Sequence, residues 1–389
     1  MDKMKGEVLV TDAQMRSSVA AIRSLGGNGL NVTAGETTRF ATGFFSKYCH
    51  KHFVYPSPSK YEEKFIHNVL KLVKNQEYDV IFPMTDDTLI PIIKNKKKIS
   101  KYSEIPFSDF KIIEKALNKA KTIEIALENN ISCPETYLIT KIDDLPDFSF
   151  SKFPLLIKPV QSYGSRGVVV CNSLMELNEK SESIYQKFGP FLVQEYIPYK
   201  SEIGVYTLFN FDSEPRAVTV QRRIRSYPIS GGPSTLRETI NDPQLIEMAF
   251  KLLKSLEWQG IAMVEFRIDP RDGKPKLMEI NPRFWGSLNL SILSGVDFPY
   301  LLYKMAVEGD IEQNLKYISG IKCRWILPGD ILWFLTSPHK KNNLNKFLDF
   351  KTPDDIISIQ DIGPTFGFFL ATLRYLFDRE MWNFVLKRG

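Results

Sequence analysis

Two apolar runs, Ile261-Ala-Met-Val-Glu-Phe-Arg-Ile268 and Pro275-Lys-Leu-Met-Glu-Ile-Asn-Pro-Arg283, decide how this chain reads. Each has the length and residue types of a β-strand. Between them Asp269-Pro-Arg-Asp-Gly273 supplies the turn chemistry of a tight hairpin. Folding that hairpin sets Glu265 beside Glu279, and the two-residue period of a strand puts Glu279 and Asn281 on one face. Two carboxylates and a neutral amide oxygen form a hard, all-oxygen set. Such a set suits Mg²⁺, which keeps waters and takes further ligands from phosphates. Arg283 shares the face and is placed to meet a phosphate oxygen.

Upstream segments supply the rest of a nucleotide site in order. Phe153-Pro-Leu-Leu-Ile-Lys-Pro159 is a short apolar strand ending in Lys158. It runs into Val160-Gln-Ser-Tyr-Gly-Ser-Arg-Gly167, a small-residue loop, and then the strand Val168–Cys171. A cation at a strand end, followed by a loop whose amides approach closely, is a phosphate-binding arrangement, with Gly164, Ser165 and Gly167 as its contacts. No Gly-Lys-Ser/Thr follows, so it is not a Walker loop. Next comes Phe191-Leu-Val-Gln-Glu-Tyr-Ile-Pro198, a strand that breaks at proline and frees backbone groups to read an adenine edge. Glu202 is suited to accept from ribose hydroxyls.

These ordered motifs resemble the ATP-grasp superfamily, whose members include D-alanine–D-alanine ligase, biotin carboxylase and carbamoyl phosphate synthetase. The resemblance covers roughly Ala116 to Asp310 and is weaker upstream. It implies an α/β ATP-grasp fold preceded by a doubly wound parallel sheet. By it, Lys119 and Lys158 match the phosphate-contacting cations, although Asn118 stands where members usually carry Asp. Gln194, Glu195, Tyr196 and Ile197 match the adenine hinge, and Glu202 matches the ribose acid. Glu279 and Asn281 match the Glu-x-Asn magnesium ligands, Glu265 the acid of the preceding strand, and Arg283 the arginine that follows. The implied chemistry is transfer of the ATP γ-phosphate to a carboxylate, then displacement of phosphate by a nucleophile, usually an amine. ATP and Mg²⁺ are the expected cofactors, with Mn²⁺ a possible substitute, and charge neutralisation does most of the work.

Substrate recognition points to Thr219-Val-Gln-Arg-Arg-Ile-Arg-Ser-Tyr-Pro-Ile-Ser-Gly-Gly-Pro-Ser-Thr-Leu-Arg-Glu238. Three arginines in four residues are costly on a buried strand without anions. Arg222 or Arg223 is expected to contact the γ-phosphate or a carboxylate, since one of two adjacent strand residues must face the site. Ser230 to Thr235 would cover it.

The first 110 or so residues alternate strand and helix: strands at Glu7–Val10, Leu30–Thr33 and Asp79–Pro83, helices at Gln14–Leu25 and Tyr61–Asn75. No Gly-x-Gly-x-x-Gly follows the first strand, which disfavours a dinucleotide. Thr85-Asp86-Asp87 ends a parallel strand, where ligands bind in such sheets. Asp86 or Asp87 is read either as an amine contact or as the N-cap of a helix over Thr88–Ile93. His50 and His52 flank Lys51 in a polar stretch, with a metal role disfavoured. The expected division is residues 1–115 (the doubly wound unit), 116–310 (small lobe about 120–195, large lobe about 196–310) and 311–389, packed on the large lobe.

At 389 residues the chain is long enough for two or three lobes. Its net charge of +6 is spread over lysine-rich helices, and the run Ile93–Lys98 reads as a solvated helix end rather than a nucleic-acid site. Cys49, Cys133, Cys171 and Cys323 are scattered, which argues against zinc or a disulfide framework and for a reducing, cytoplasmic setting. The start, Met1-Asp-Lys-Met-Lys-Gly-Glu7, reads straight into a strand with no signal peptide. Arg324–Leu335 and Pro364–Phe377 are aromatic-rich but shorter than the roughly 20 apolar residues of a membrane span; contact with a membrane interface is the minor alternative to packing on the large lobe. The favoured function is an ATP-dependent carboxylate–amine ligase acting on small molecules. A bicarbonate-activating carboxylase or carbamoyl-phosphate-type enzyme, and a non-catalytic ATP-binding module, are the alternatives. Oligomeric state stays open.

Overall fold

A computed structural model describes residues 6–149, 152–160, 167–198, 201–229, 231–338 and 340–375. The expected phosphate-loop contacts Gly164 and Ser165, and Ser230 of the covering loop, lie outside them.

The first sheet is parallel, with β1 (Glu7–Val10), β2 (Asn31–Glu36), β3 (Cys49–Val54) and β4 (Val80–Phe82) in the order β3-β2-β1-β4. Its central strands β2 and β1 are short and almost wholly buried, as a sheet covered on both faces requires. The helices Arg16–Gly27 and Glu62–Asn75 pack their apolar stripes on it. β3 takes in the polar stretch of His50, Lys51 and His52 as an edge strand, with all three exposed. The His50 ring accepts a hydrogen bond from the Val32 amide at 3.2 Å, and His52 stacks on Phe44. The helix after β4 also begins earlier than expected, at Asp86, with Thr85 at the N-cap position. Asp86 is therefore a first-turn residue and not the cap.

The second sheet is antiparallel: β5 (Thr136–Ile139), β6 (Leu155–Pro159), β7 (Val169–Cys171) and β8 (Phe191–Glu195), ordered β5-β8-β6-β7. The helix Leu174–Phe188 covers it, capped by the Ser173 hydroxyl. Phe148, Leu155, Ile157, Leu177, Phe191 and Val193 form a small core of its own.

The third sheet is the largest: β9 (Ser201–Phe209), β10 (Pro215–Ser226), β11 (Ser234–Thr239), β12 (Gly260–Ile268), β13 (Pro275–Asn281) and β14 (Lys322–Arg324). Its order is β13-β12-β9-β10-β11-β14, antiparallel throughout. Its core runs without a break into that of the parallel sheet. The tail divides its contacts. β14 extends the large sheet, and buried Asp330 accepts from both Arg225 and Arg324. The helix Gly363–Tyr375 instead lies on Thr42–Phe45 of the N-terminal unit, where a Cβ on Gly363 would strike the Phe45 carbonyl at 1.7 Å. No described helix is long and apolar enough to cross a membrane.

Candidate active site

The hairpin forms in the register its sequence predicts: Glu265 pairs with Glu279, and Met263 with Asn281. Gly273 closes the turn at φ +71°, a conformation glycine adopts without steric cost, and its amide donates to the Asp269 carbonyl at 2.8 Å. A bulge follows the Glu265–Glu279 pair, yet Glu279 and Asn281 keep a common face: the Asn281 amide donates to Glu279 Oε1 at 3.0 Å.

Lysines enter from the small lobe. Lys158, near the end of β6, donates to Gln194 Oε1 on β8 at 2.6 Å, while the Gln194 amide donates to Thr136. Gln194 thus spends its side chain on orienting Lys158, which leaves only its backbone for a base. Lys119 opens the helix Lys119–Glu128, where Asn118 is the N-cap and accepts from the amides of Ala120 and Lys121. Asn and Asp cap equally well, so the departure at Asn118 costs the local structure nothing. Burial pushes Lys158 down to about 8, partly opposed by Glu279. Burial also lowers Lys119, against the pull of Glu279 and Asp86. Both lysines therefore lie within the field of the Glu279 carboxylate. Gly167 sits at φ +74°, wedged where a Cβ would meet Phe188 and Pro159 at 2.8 Å, so only glycine fits there without strain.

β10 settles which arginine turns inward. Arg223 bridges Glu202 and Glu265, the latter at 2.9 Å, and also reaches the Gly232 carbonyl of the following loop. Arg222, the other of the two candidates, points to the opposite face, half exposed and paired with Glu238, as strand alternation requires of the neighbour of an inward residue. Burial disfavours the Arg223 charge, but Glu265 and Glu202 outweigh it and the net shift is upward. Glu202 accepts from Arg223 and also from Arg267, a residue the sequence reading passed over. Arg267 also donates to the Ile197 carbonyl at 3.0 Å, which ties the hinge to β12. The signal was available: Arg267 lies two residues beyond Glu265 on the same strand. Glu195, by contrast, pairs with Arg271 in the hairpin turn at 2.5 Å, at the rim of the site. Tyr196 follows on the same stretch, half-buried, beside buried Ile197.

Arg283 is enclosed. Its Nε donates to Asp86 at 3.0 Å, Nη1 to the Phe284 carbonyl and Nη2 to Asn281 Oδ1. Burial opposes its charge, Asp86 favours it, and the balance is upward.

The donor set fits Mg²⁺ on its chemistry. Burial pushes the Glu265 carboxyl up to about 7, and Glu279 and Glu202 push the same way against Arg223 and Arg267. Carboxylates so crowded favour a further cation, and every candidate donor is a hard oxygen. Among the described residues no group of three or more His, Cys, Asp and Glu is arranged to hold a metal.

Two family models match the chain: a RimK-like ATP-grasp domain over residues 116–215, and an ATP-grasp described as in the biosynthetic pathway with Ter operon over 187–327. The chain is 25% identical over 228 residues to D-alanine–D-alanine ligase of Wolbachia sp. subsp. Drosophila simulans (strain wRi), a match covering 53% of this chain and 69% of that one. It is 23% identical over 263 residues to D-aspartate ligase of Enterococcus faecium (strain Aus0004), covering 60% of this chain and 61% of the relative. Its fold resembles the L-amino acid ligase of Bacillus licheniformis with a TM-score of 0.62 at 19% identity, over 80% of this chain and 76% of that one. Fold, ordered motifs and matches define one class, that of ATP-grasp proteins. The chain belongs to the ATP-grasp superfamily.

Proposed function

We propose that this enzyme activates the carboxylate of a small molecule with ATP and joins it to a small amine. A carboxylate oxygen attacks the γ-phosphorus and ADP leaves. The amine nitrogen then attacks the acyl carbon, phosphate leaves, and the amine loses its proton to solvent. The observation that carries this reading is the convergence of Lys119, Lys158, Arg223 and Arg283 on the face of β12 and β13 that bears Glu265, Glu279 and Asn281. Phosphoryl transfer asks a protein mainly for such neutralisation and for in-line positioning.

Lys119 and Lys158 would hold the phosphates, together with the backbone of the loop at Gly164, Ser165 and Gly167. The backbone at Gln194 to Ile197 would face the adenine, and Glu202, held by Arg223 and Arg267, would receive a ribose hydroxyl. Arg223 and Arg283 would steady the transferring phosphoryl group and the acid. Glu265, Glu279 and Asn281 would hold Mg²⁺. When bound, that ion draws charge from the phosphate oxygens. The residues need no nucleophile of their own, and none of the four cysteines or of the described histidines adjoins the cluster.

The test is phosphate release on a matrix of small carboxylates and amines. Release that needs one acid and one amine, with one ADP formed per bond, is the expected result. Release driven by bicarbonate alone would replace the reading with a carboxylase. Tight ATP binding with no turnover on any pair would leave a non-catalytic module.

A further inference from the structure

We propose that Asp86, which belongs to the N-terminal unit, is a positioning residue for the metal-binding carboxylate Glu279, acting through Arg283 and Asn281. The proposal rests on the ligase reading for the roles of those partners. The path is continuous. Arg283 Nε donates to Asp86 Oδ2 at 3.0 Å, Arg283 Nη2 donates to Asn281 Oδ1 at 3.3 Å, and the Asn281 amide donates to Glu279 Oε1 at 3.0 Å. With Nη1 on the Phe284 carbonyl at 3.1 Å, every nitrogen of the rigid guanidinium fork is engaged, which sets its plane.

Asp86 is itself held. Its turn is clamped by Asp12 at the end of β1, whose Oδ2 accepts from the amides of Met84 at 3.3 Å and Thr85 at 3.1 Å and from the Thr88 hydroxyl at 2.6 Å. Asp12 adopts φ +56°, a conformation that costs a non-glycine residue energy and persists where its surroundings impose it. Phe82 packs on Phe284 with ring centroids 5.6 Å apart, so the end of β4 lies directly against the segment beyond Arg283. The second oxygen of Asp86, Oδ1, is buried with no hydrogen-bond partner, so among the described residues the ion pair of this carboxylate goes to Arg283, while its charge is also felt by Lys119.

Charge makes the arrangement necessary. Arg283 is also attracted by Glu279 and Glu265. Without Asp86 the guanidinium would turn toward those acids and compete with the metal for them. Groups behind metal ligands commonly govern affinity and rate by 10–100-fold.

The experiment compares wild type with Asp86→Asn, which keeps the shape and removes the charge. Calorimetry reads ADP affinity as Mg²⁺ is titrated, and a thermal melt reads folding. We expect the Mg²⁺ concentration for half-maximal ADP affinity to rise about tenfold in Asp86→Asn, with kcat down about 10- to 100-fold and the thermal midpoint near that of wild type. Asp12→Asn should shift the Mg²⁺ dependence the same way by less. A purely structural role would lower the midpoint and leave Mg²⁺ half-saturation alone; that result, or an unchanged variant, overturns the proposal. Calorimetry needs neither acid nor amine. Absent turnover with a Mg²⁺ dependence that still shifts in Asp86→Asn would sink the ligase reading and leave the relay standing.

Discussion

The sheet that carries Lys158 and the sheet that carries Glu279 are stabilised in different ways. The first, β5 to β8, closes over a small core between Ile139 and Val193 that does not merge with the rest. The second shares one continuous core with the parallel sheet, through residues such as Phe82, Phe209, Trp258, Phe266 and Phe284. The site straddles this line. Glu202, Glu265, Glu279 and Asp86 sit on the joined body with Arg223, Arg267 and Arg283, and the helix that opens at Lys119 packs Ala126 into the same core, while Lys158 stands on the small lobe. The lesson is one of division. The body that carries the acids and arginines is built to hold its geometry, and the sheet that carries Lys158 rests on fewer buried contacts and has the lower cost of moving.

Substitutions on either side test that contrast. The largest effect is expected for Glu279→Ala, which should lower kcat by about 10³-fold, as loss of a charge-stabilising group does, and abolish the Mg²⁺ dependence of ADP affinity. A small loss would mean the acids do not share a cation. Next come the two cores. Ile157→Ala and Leu252→Ala should each cost about 3 kcal/mol, the usual range for emptying a buried aliphatic site. Hydrogen exchange should place the first loss in residues 139–193 alone and spread the second over both joined sheets; a global loss from Ile157→Ala would erase the distinction.

Arg223→Ala should lower kcat/KM by about 10²-fold, whereas Arg222→Ala should stay within about twofold, because only the former faces the carboxylates. Equal effects would break the assignment of strand faces. The smallest effect is on pH. Lys158 in the free protein loses its proton near pH 8, below the usual lysine value, because of burial. The triphosphate favours its charged form. KM for ATP should therefore rise as pH passes about 8, by at most about tenfold per unit, and Lys158→Arg should flatten the profile. The stability linkage runs the other way. A lysine depressed in the folded state contributes stability above its unfolded value and loses it as pH falls through about 8, so the small lobe without nucleotide should melt higher at pH 9 than at pH 7.

What was legible depended on the range over which each feature is decided. The Glu265–Glu279 register follows from a five-residue turn between two strands, and Lys158 from a strand running into a small-residue loop. Arg267 was missed although it repeats the spacing of Glu265, because its partners Glu202 and the Ile197 carbonyl lie some 65 and 70 residues away. β3 escaped notice for a different reason: an edge strand is charged on its open side and lacks the apolar run that marks a central one. The tail helix read as cover for the large lobe, and its true seat on Thr42–Phe45 rests on two glycines that no periodicity reveals.

By itself the sequence settled the class of fold and the pairing of the acids, and it supplied the candidates for a triphosphate site, since strand period, turn chemistry and ligand hardness act within a few residues. Only the tertiary structure decided that Arg223 and not Arg222 faces inward, that Glu202 is held by two arginines, and that Asp86 reaches Arg283 across 197 residues of chain. Those outcomes depend on which charged groups are brought together out of water, where an unpaired charge is too costly to leave, and that is a property of the packed molecule rather than of any segment.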